Sequence, residues 1–212
     1  MNILNAISNN ASFAPFLKTT LILSLALRCY TARLVFGADD IAMTKWPNYG
    51  NTLQSTKYSP LQQIDASIVS ELEIAWMWDT PDNEIFERDS RATAGEYKVT
   101  PIMVNGILYV STSLGVVAAI DAKSGEQLWH FDTESWAHGR HPNFNNNHRG
   151  VSYWGNGDQG RILMPANDGV FWSLDADTGL PDPQFGNGGS IDLKKGLGRD
   201  FDDSVYGVVS AP

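Results

Sequence analysis

Cysteine is almost missing from this 212-residue chain, and Cys29 is the only one. It sits in an N-terminal stretch that reads as a leader, so no disulfide is expected in the folded part. Arg28 precedes it where a lipidated cysteine has a small residue, which argues against a lipoprotein. Basic runs are missing too. Lys and Arg number 15 against 24 Asp and Glu, a formal charge of −9. Nucleic acid is bound through Lys/Arg patches, so it is excluded as a partner. Acidic residues are absent from positions 1–38 and begin abruptly at Asp39. Within that stretch, "TTLILSLAL" (19–27) follows Lys18. Its length is that of a signal-peptide apolar region and too short to span a bilayer. Residues 1–38 are therefore expected to be a signal peptide, cut near Gly37 or Ala38, or a retained membrane anchor. Residues 39–212 are the expected folded part.

Metal and phosphate signatures are also lacking. His130, His138, His141 and His148 follow one another without a cysteine and at intervals that match no zinc pattern. Surface-loop histidines are expected. "DADTGLPD" from Asp175 starts like a calcium loop, but the twelfth position is Gly186 where a bidentate Glu is needed. "GNGGS" (186–190) has no helix pattern after it, so it is not a phosphate loop.

What is present is a repeat. "GILYVSTSLGVVAAIDAKSGEQLWHF" (106–131) aligns without a gap on "GRILMPANDGVFWSLDADTGLPDPQF" (160–185), an offset of 54 residues. Gly115/Gly169, Asp121/Asp175 and Gly125/Gly179 are among the identical pairs. "ILYVSTS" and "VVAAID" are strand-like. Gly115 and Gly169 fall at hairpin turns. "DAKSG" and "DADTG" close a second hairpin, with the Asp side chain bonding turn amides and the Gly in a left-handed position. Trp129 then falls on an outer strand, placed to dock against a neighbouring unit. The same position in the second repeat holds Pro183, so that outer strand is expected to be irregular.

A period near 50 residues built from short strands implies β-propeller blades. "VTPIMVNG" opens the first unit and "RGVSYWGNG" the second. "VVSAP" ends the chain, like "VTP", as a third unit begins. Two blades cannot close a ring, so the chain is expected to be the front portion of a longer propeller, against the alternative of a natural two-sheet domain.

The connection 132–147 is long, as functional loops are, and leads into Arg149 at an inner strand start. Inner strand starts line the axial mouth of a propeller. An Arg there clamps a carboxylate with two parallel hydrogen bonds, or else is paired internally with an Asp. Lys98 is the equivalent cation at the first blade. Val151 and Tyr153 are expected on one strand face, Ser152 and Trp154 on the other.

"WPNYGNTLQSTKYSPLQQIDASIVSELEIAWMWDT" (46–80), "TPIMVNGILYVSTSLGVVAAIDAKSGEQLWHFD", "HRGVSYW", "FGNGGSIDL" and the final "SAP" together resemble the quinoprotein alcohol and glucose dehydrogenases. The resemblance covers about 46–212. It implies an all-β, eight-bladed propeller in the periplasm, free or attached to the inner membrane. It implies pyrroloquinoline quinone (PQQ) as cofactor, with calcium. It implies oxidation of an alcohol or sugar, with electrons passing to ubiquinone or a cytochrome.

The arginine of the family's "RG-x-x-YW" segment, a PQQ contact, is Arg149 here. The adjacent cysteines of some members fall at Asn143 and Phe144, and the histidine of the glucose-dehydrogenase branch at Asn145. Phe144, Asn145 and Asn147 are thus the residues expected against the quinone. Lys98 stands where many members have Glu or Gln. A threonine contact before the last Pro falls at Val209 or Ser210. The family's catalytic Asp and main calcium ligands belong to later blades, past Pro212. The competing reading is a cofactor-free propeller scaffold of the bacterial envelope that binds other proteins. The segment 46–80, Arg149 and the absent lipobox favour the enzyme.

Overall fold

The computed structural model describes residues 45–93, 95–138, 146–156, 159–198, 202 and 206–212. The expected leader with Cys29 lies outside them, as do His141, Asn143, Phe144 and Asn145. Among the described residues, no helix is long and apolar enough to cross a membrane.

Two antiparallel four-stranded meanders dominate the fold. The first runs β2 (Ile102–Val104), β3 (Ile107–Ser111), β4 (Val116–Asp121) and β5 (Gln127–Asp132). The second runs β7 (Ser152–Asn156), β8 (Gln159–Pro165), β9 (Val170–Asp175) and β10 (Ser190–Asp192). In each sheet the strands pair in chain order, which is the pattern of a propeller blade. A short helix α1 (Asp82–Arg88) precedes the first blade, and β1 (Glu96–Tyr97) pairs in parallel with β6 (Asn147–His148).

The turns form as the sequence requires. Gly115, Gly125, Gly169 and Gly179 all have positive φ. Asp121 Oδ1 accepts the amides of Lys123 (3.0 Å) and Ser124 (2.7 Å). Asp175 Oδ1 does the same with Asp177 (3.1 Å) and Thr178 (2.8 Å). Pro183 breaks the second outer strand as expected. Leu174 bridges Pro181, the chain then leaves the sheet, and β10 rejoins it opposite Val170–Trp172.

The main core lies between the blades. Ile102, Tyr109, Val117 and Ala119 of the first pack with Val151, Ile162, Met164 and Leu174 of the second. Strand β4 is apolar without alternation because both its faces are covered. Val117 and Ala119 face the second blade, while Ala118 and Ile120 pack with Trp76 and Trp78. Val151 and Tyr153 join the core between the blades. Trp154 is exposed, with the Arg161 guanidinium 5.4 Å from its ring.

Trp129 docks on the neighbouring blade as its position implied. Its indole N–H donates to Ala176 O at 3.0 Å. Its ring fills the space that a Cβ on Gly179 would occupy. Trp76 does the same one unit earlier, donating to Ala122 O at 3.2 Å and covering Gly125. The two surrounding sequences correspond: "EIAWMWDT" (73–80) and "EQLWHFDT" (126–133) share Glu, Trp, Asp and Thr at an offset of 53 residues. Residues 72–80 thus hold the place of an outer strand beside the first blade, although they pair with no strand among the described residues. An indole removes about 150–250 Å² from water, which amounts to roughly 4–6 kcal/mol per docked ring as an upper figure. Each docked indole thus adds to the cohesion that the shared core supplies.

Candidate cofactor site at the inner strand starts

The stretches leading into β2 and β7 meet the C-terminal segment through hydrogen bonds. Arg149 O accepts from Thr100 N–H at 3.3 Å, and Arg149 N–H donates to Val209 O at 2.9 Å. Ser152 Oγ donates to Pro212 O at 2.6 Å. Three stretches far apart in sequence, around Thr100, Arg149 and Val209, are thereby laid side by side. Gly150 makes this approach possible. Its φ of +135° suits only glycine, and a Cβ there would lie 3.1 Å from Thr100 O.

Arg149 itself is exposed. Among the described residues, no carboxylate forms an ion pair with it. Lys98, by contrast, forms an ion pair with Glu96, and that contact holds the Glu96 carboxyl below its usual range. Both side chains of this pair are largely exposed, so it exchanges easily with solvent. Ser210 is exposed beside buried Val209. Asn147 is buried, and its Oδ1 has no hydrogen-bond partner. A buried acceptor without a donor is costly and marks a place where a ligand or water belongs. Phe144 and Asn145 lie outside the described residues. The structure thus brings Lys98, Asn147, Arg149 and Ser210 onto adjoining backbone stretches.

His148 corrects the reading of the histidines as surface-loop residues, because it is fully buried. Its Nε2–H donates to Pro165 O at 2.5 Å, and its Nδ1 accepts from Ser111 Oγ at 2.9 Å and Gly150 N–H at 3.3 Å. This set of partners fixes the neutral Nε2–H tautomer. Burial pushes its pKa down to about 4, opposed by the bond to Pro165 O. His138 is exposed and lies 3.0 Å from Asp168, and His130 is 3.0 Å from Gln127. No group of three or more potential metal ligands occurs among the described residues.

A second buried polar group was not foreseen. Asp82, the first residue of α1, accepts from Thr112 Oγ1 (2.5 Å), Ser113 Oγ (3.0 Å) and Leu114 N–H (3.3 Å). It ties the helix to the β3–β4 hairpin. Burial raises its pKa, and the three hydrogen bonds oppose that rise. Sequence gave no signal for Asp82 or His148, since both depend on partners 17 to 37 residues away. Trp76 could have been found by sliding "LWHFDT" along the chain. A pocket of about 230 Å³ between α1 and β5, lined by Glu84, Arg88, His130 and Asp132 among others, lies apart from the inner strand starts.

The family model for the PQQ glucose/ethanol/alcohol dehydrogenase β-propeller domain matches residues 46–212. The chain belongs to this family. It is 33% identical over 168 residues to quinohemoprotein alcohol dehydrogenase ADH IIB of Pseudomonas putida, covering 76% of this chain and 22% of that protein. It is 31% identical over 183 residues to the quinoprotein glucose dehydrogenase of Escherichia coli strain K12, covering 81% and 22%. Among solved structures, quinohemoprotein alcohol dehydrogenase ADHIIG from Pseudomonas putida HK5 superposes with a TM-score of 0.59 at 27% identity, covering 82% of this chain and 22% of that one. The enzyme from Comamonas testosteroni gives 0.52 at 27%, covering 75% and 22%. The chain thus spans about a fifth of the length of these relatives. The all-β fold and its propeller class, expected from the repeat, are borne out.

Proposed function

We propose that this chain forms the opening blades of a periplasmic PQQ-dependent dehydrogenase that oxidises an alcohol or sugar and passes electrons to ubiquinone or a cytochrome. The observation that carries this reading is Arg149: its backbone is bonded to Thr100 and Val209, and no carboxylate among the described residues forms an ion pair with its exposed side chain. The residues present fit one side of such a cofactor. Arg149 supplies a planar, permanently charged fork suited to one of its carboxylates. Asn147 Oδ1 offers a buried acceptor that lacks a donor. Lys98 is a second cation nearby once Glu96 is displaced, and Ser210 offers a hydroxyl.

When bound, the quinone supplies the two-electron acceptor for the CH–OH group. Arg149 binds and orients it, Gly150 lets the backbone come close enough to aim that arginine, and the packed blades beneath exclude water. Calcium, the companion expected from the family resemblance, has no ligand group among the described residues, and no step is assigned to it.

The test is PQQ affinity of the full-length protein with and without Arg149→Ala. Losing charge-assisted hydrogen bonds costs about 1.5–3 kcal/mol, roughly a ten- to hundredfold rise in Kd. Unchanged affinity would refute the clamp. No PQQ binding by the unaltered protein would favour the cofactor-free scaffold.

A further inference from the structure

We propose that His148 is a positioning residue: it locks the seam between the two blades and so aims Arg149 at the cofactor. This rests on the reading of Arg149 as the carboxylate clamp. His148 does not touch the ligand in this account and acts only through the residue that follows it.

The geometry is specific. One imidazole spans both blades, taking Ser111 Oγ of β3 on one nitrogen and giving its proton to Pro165 O of β8 on the other. The same Nδ1 also accepts the amide of Gly150, so the ring folds back on the chain two residues later. Arg149 lies inside that loop of bonds. Its own amide and carbonyl are taken by Val209 and Thr100, and its preceding residues are paired with Glu96–Tyr97. Every backbone direction open to Arg149 is therefore set by a partner, and its side chain alone is left to solvent. Solvent-exposed arginine has many rotamers, and a clamp whose base is rigid loses less freedom on binding. A buried, fully hydrogen-bonded histidine does this better than an apolar residue, because its two nitrogens fix direction as well as volume.

Among the described residues, no other buried titratable group is placed to do the same. Asp82 acts on the β3–β4 hairpin and α1. The orphaned amide of Asn167 lies in the β8–β9 turn with no partner shown for either atom, so nothing indicates what it holds.

The experiment is a double-mutant cycle read as PQQ Kd in the full-length protein, with thermal midpoints measured alongside. His148→Phe keeps the ring volume and removes both hydrogen-bonding nitrogens. It is expected to raise Kd about tenfold, at the lower end for outer partners of liganding residues. Added to Arg149→Ala, it is expected to change Kd by less than about twofold, because its effect passes through the missing arginine. Ser111→Ala is the milder variant should His148→Phe not fold. It frees one Nδ1 partner, and a rise of about threefold is expected, again vanishing in the Arg149→Ala background. A merely structural role would give equal rises in both backgrounds and would overturn the proposal while leaving the clamp intact. If Arg149→Ala alone leaves Kd unchanged, the clamp fails, and the positioning role falls with it.

Discussion

Trp129 of the first blade packs on Gly179 of the second, and its indole N–H reaches the Ala176 carbonyl in the same turn at 3.0 Å. Gly179 has φ +71°, so it serves twice: it closes the "DADTG" turn and leaves a flat seat for the ring. Gly179→Ala is expected to fail on both counts. The left-handed backbone costs about 1–2 kcal/mol, and overlap with the indole adds about 1–3 kcal/mol. Urea unfolding of the variant should show a loss of unfolding free energy of that total, about 2–5 kcal/mol. A loss below about 1 kcal/mol would mean that the ring moves aside freely.

Asp82 makes a different prediction, because it holds α1 rather than a blade. Asp82→Ala leaves the Thr112, Ser113 and Leu114 donors without their acceptor. A loss of about 1–3 kcal/mol is expected. Hydrogen exchange should speed up at α1 and the β3–β4 hairpin while β8 and β9 stay protected. Uniform loss of protection would contradict the local role.

The pH dependence of stability follows from His148. Its ordinary pKa is near 6.5, and burial lowers it to about 4 in the folded chain. Between those values the unfolded chain binds a proton that the folded one does not. This contribution to stability is therefore full above pH 6.5 and is lost as the pH falls toward 4. The loss is at most about 3 kcal/mol. Carboxylates lowered by their partners, such as Asp89 and Asp121, act in the same direction at more acid pH. Comparison with His148→Gln isolates the histidine. The stability gap between the two proteins should narrow from pH 7 to pH 4.5, and a constant gap would place the proton elsewhere.

The 212-residue chain expressed by itself, supplied with PQQ and calcium, is expected to show no dehydrogenase turnover with alcohols or sugars. It spans about a fifth of its relatives, and in the proposed reading it supplies only one side of the cofactor. A dye-linked assay checks this, and measurable turnover would show that the chain carries a complete site.

The blades were legible because their signals are local. Asp121 acts within four positions of Gly125, and Asp175 within four of Gly179, and the alternation in "GVSYW" sets its two faces without reference to distant residues. Pro183 announced the broken outer strand for the same reason. The site was legible only in part. Arg149 stood out as a cation at a strand start, and the family resemblance implied a PQQ carboxylate as its ligand. Lys98 looked equivalent, yet it is paired with Glu96, a neighbour that a reading focused on strand starts passed over. His148 was misjudged because a histidine between asparagines and an arginine looks solvated, and nothing within ten residues reveals that Ser111 and Pro165 close over it.

By itself, then, the sequence determined the repeating unit, the hairpins within it and the family to which it belongs, since short-range turn chemistry and strand periodicity suffice for these. Only the tertiary structure decided which residues meet where the blades join. Thr100, Arg149 and Val209 are brought together by backbone bonds, and His148 is buried against Ser111 and Pro165, because blade packing sets those contacts and leaves no periodic trace in the chain.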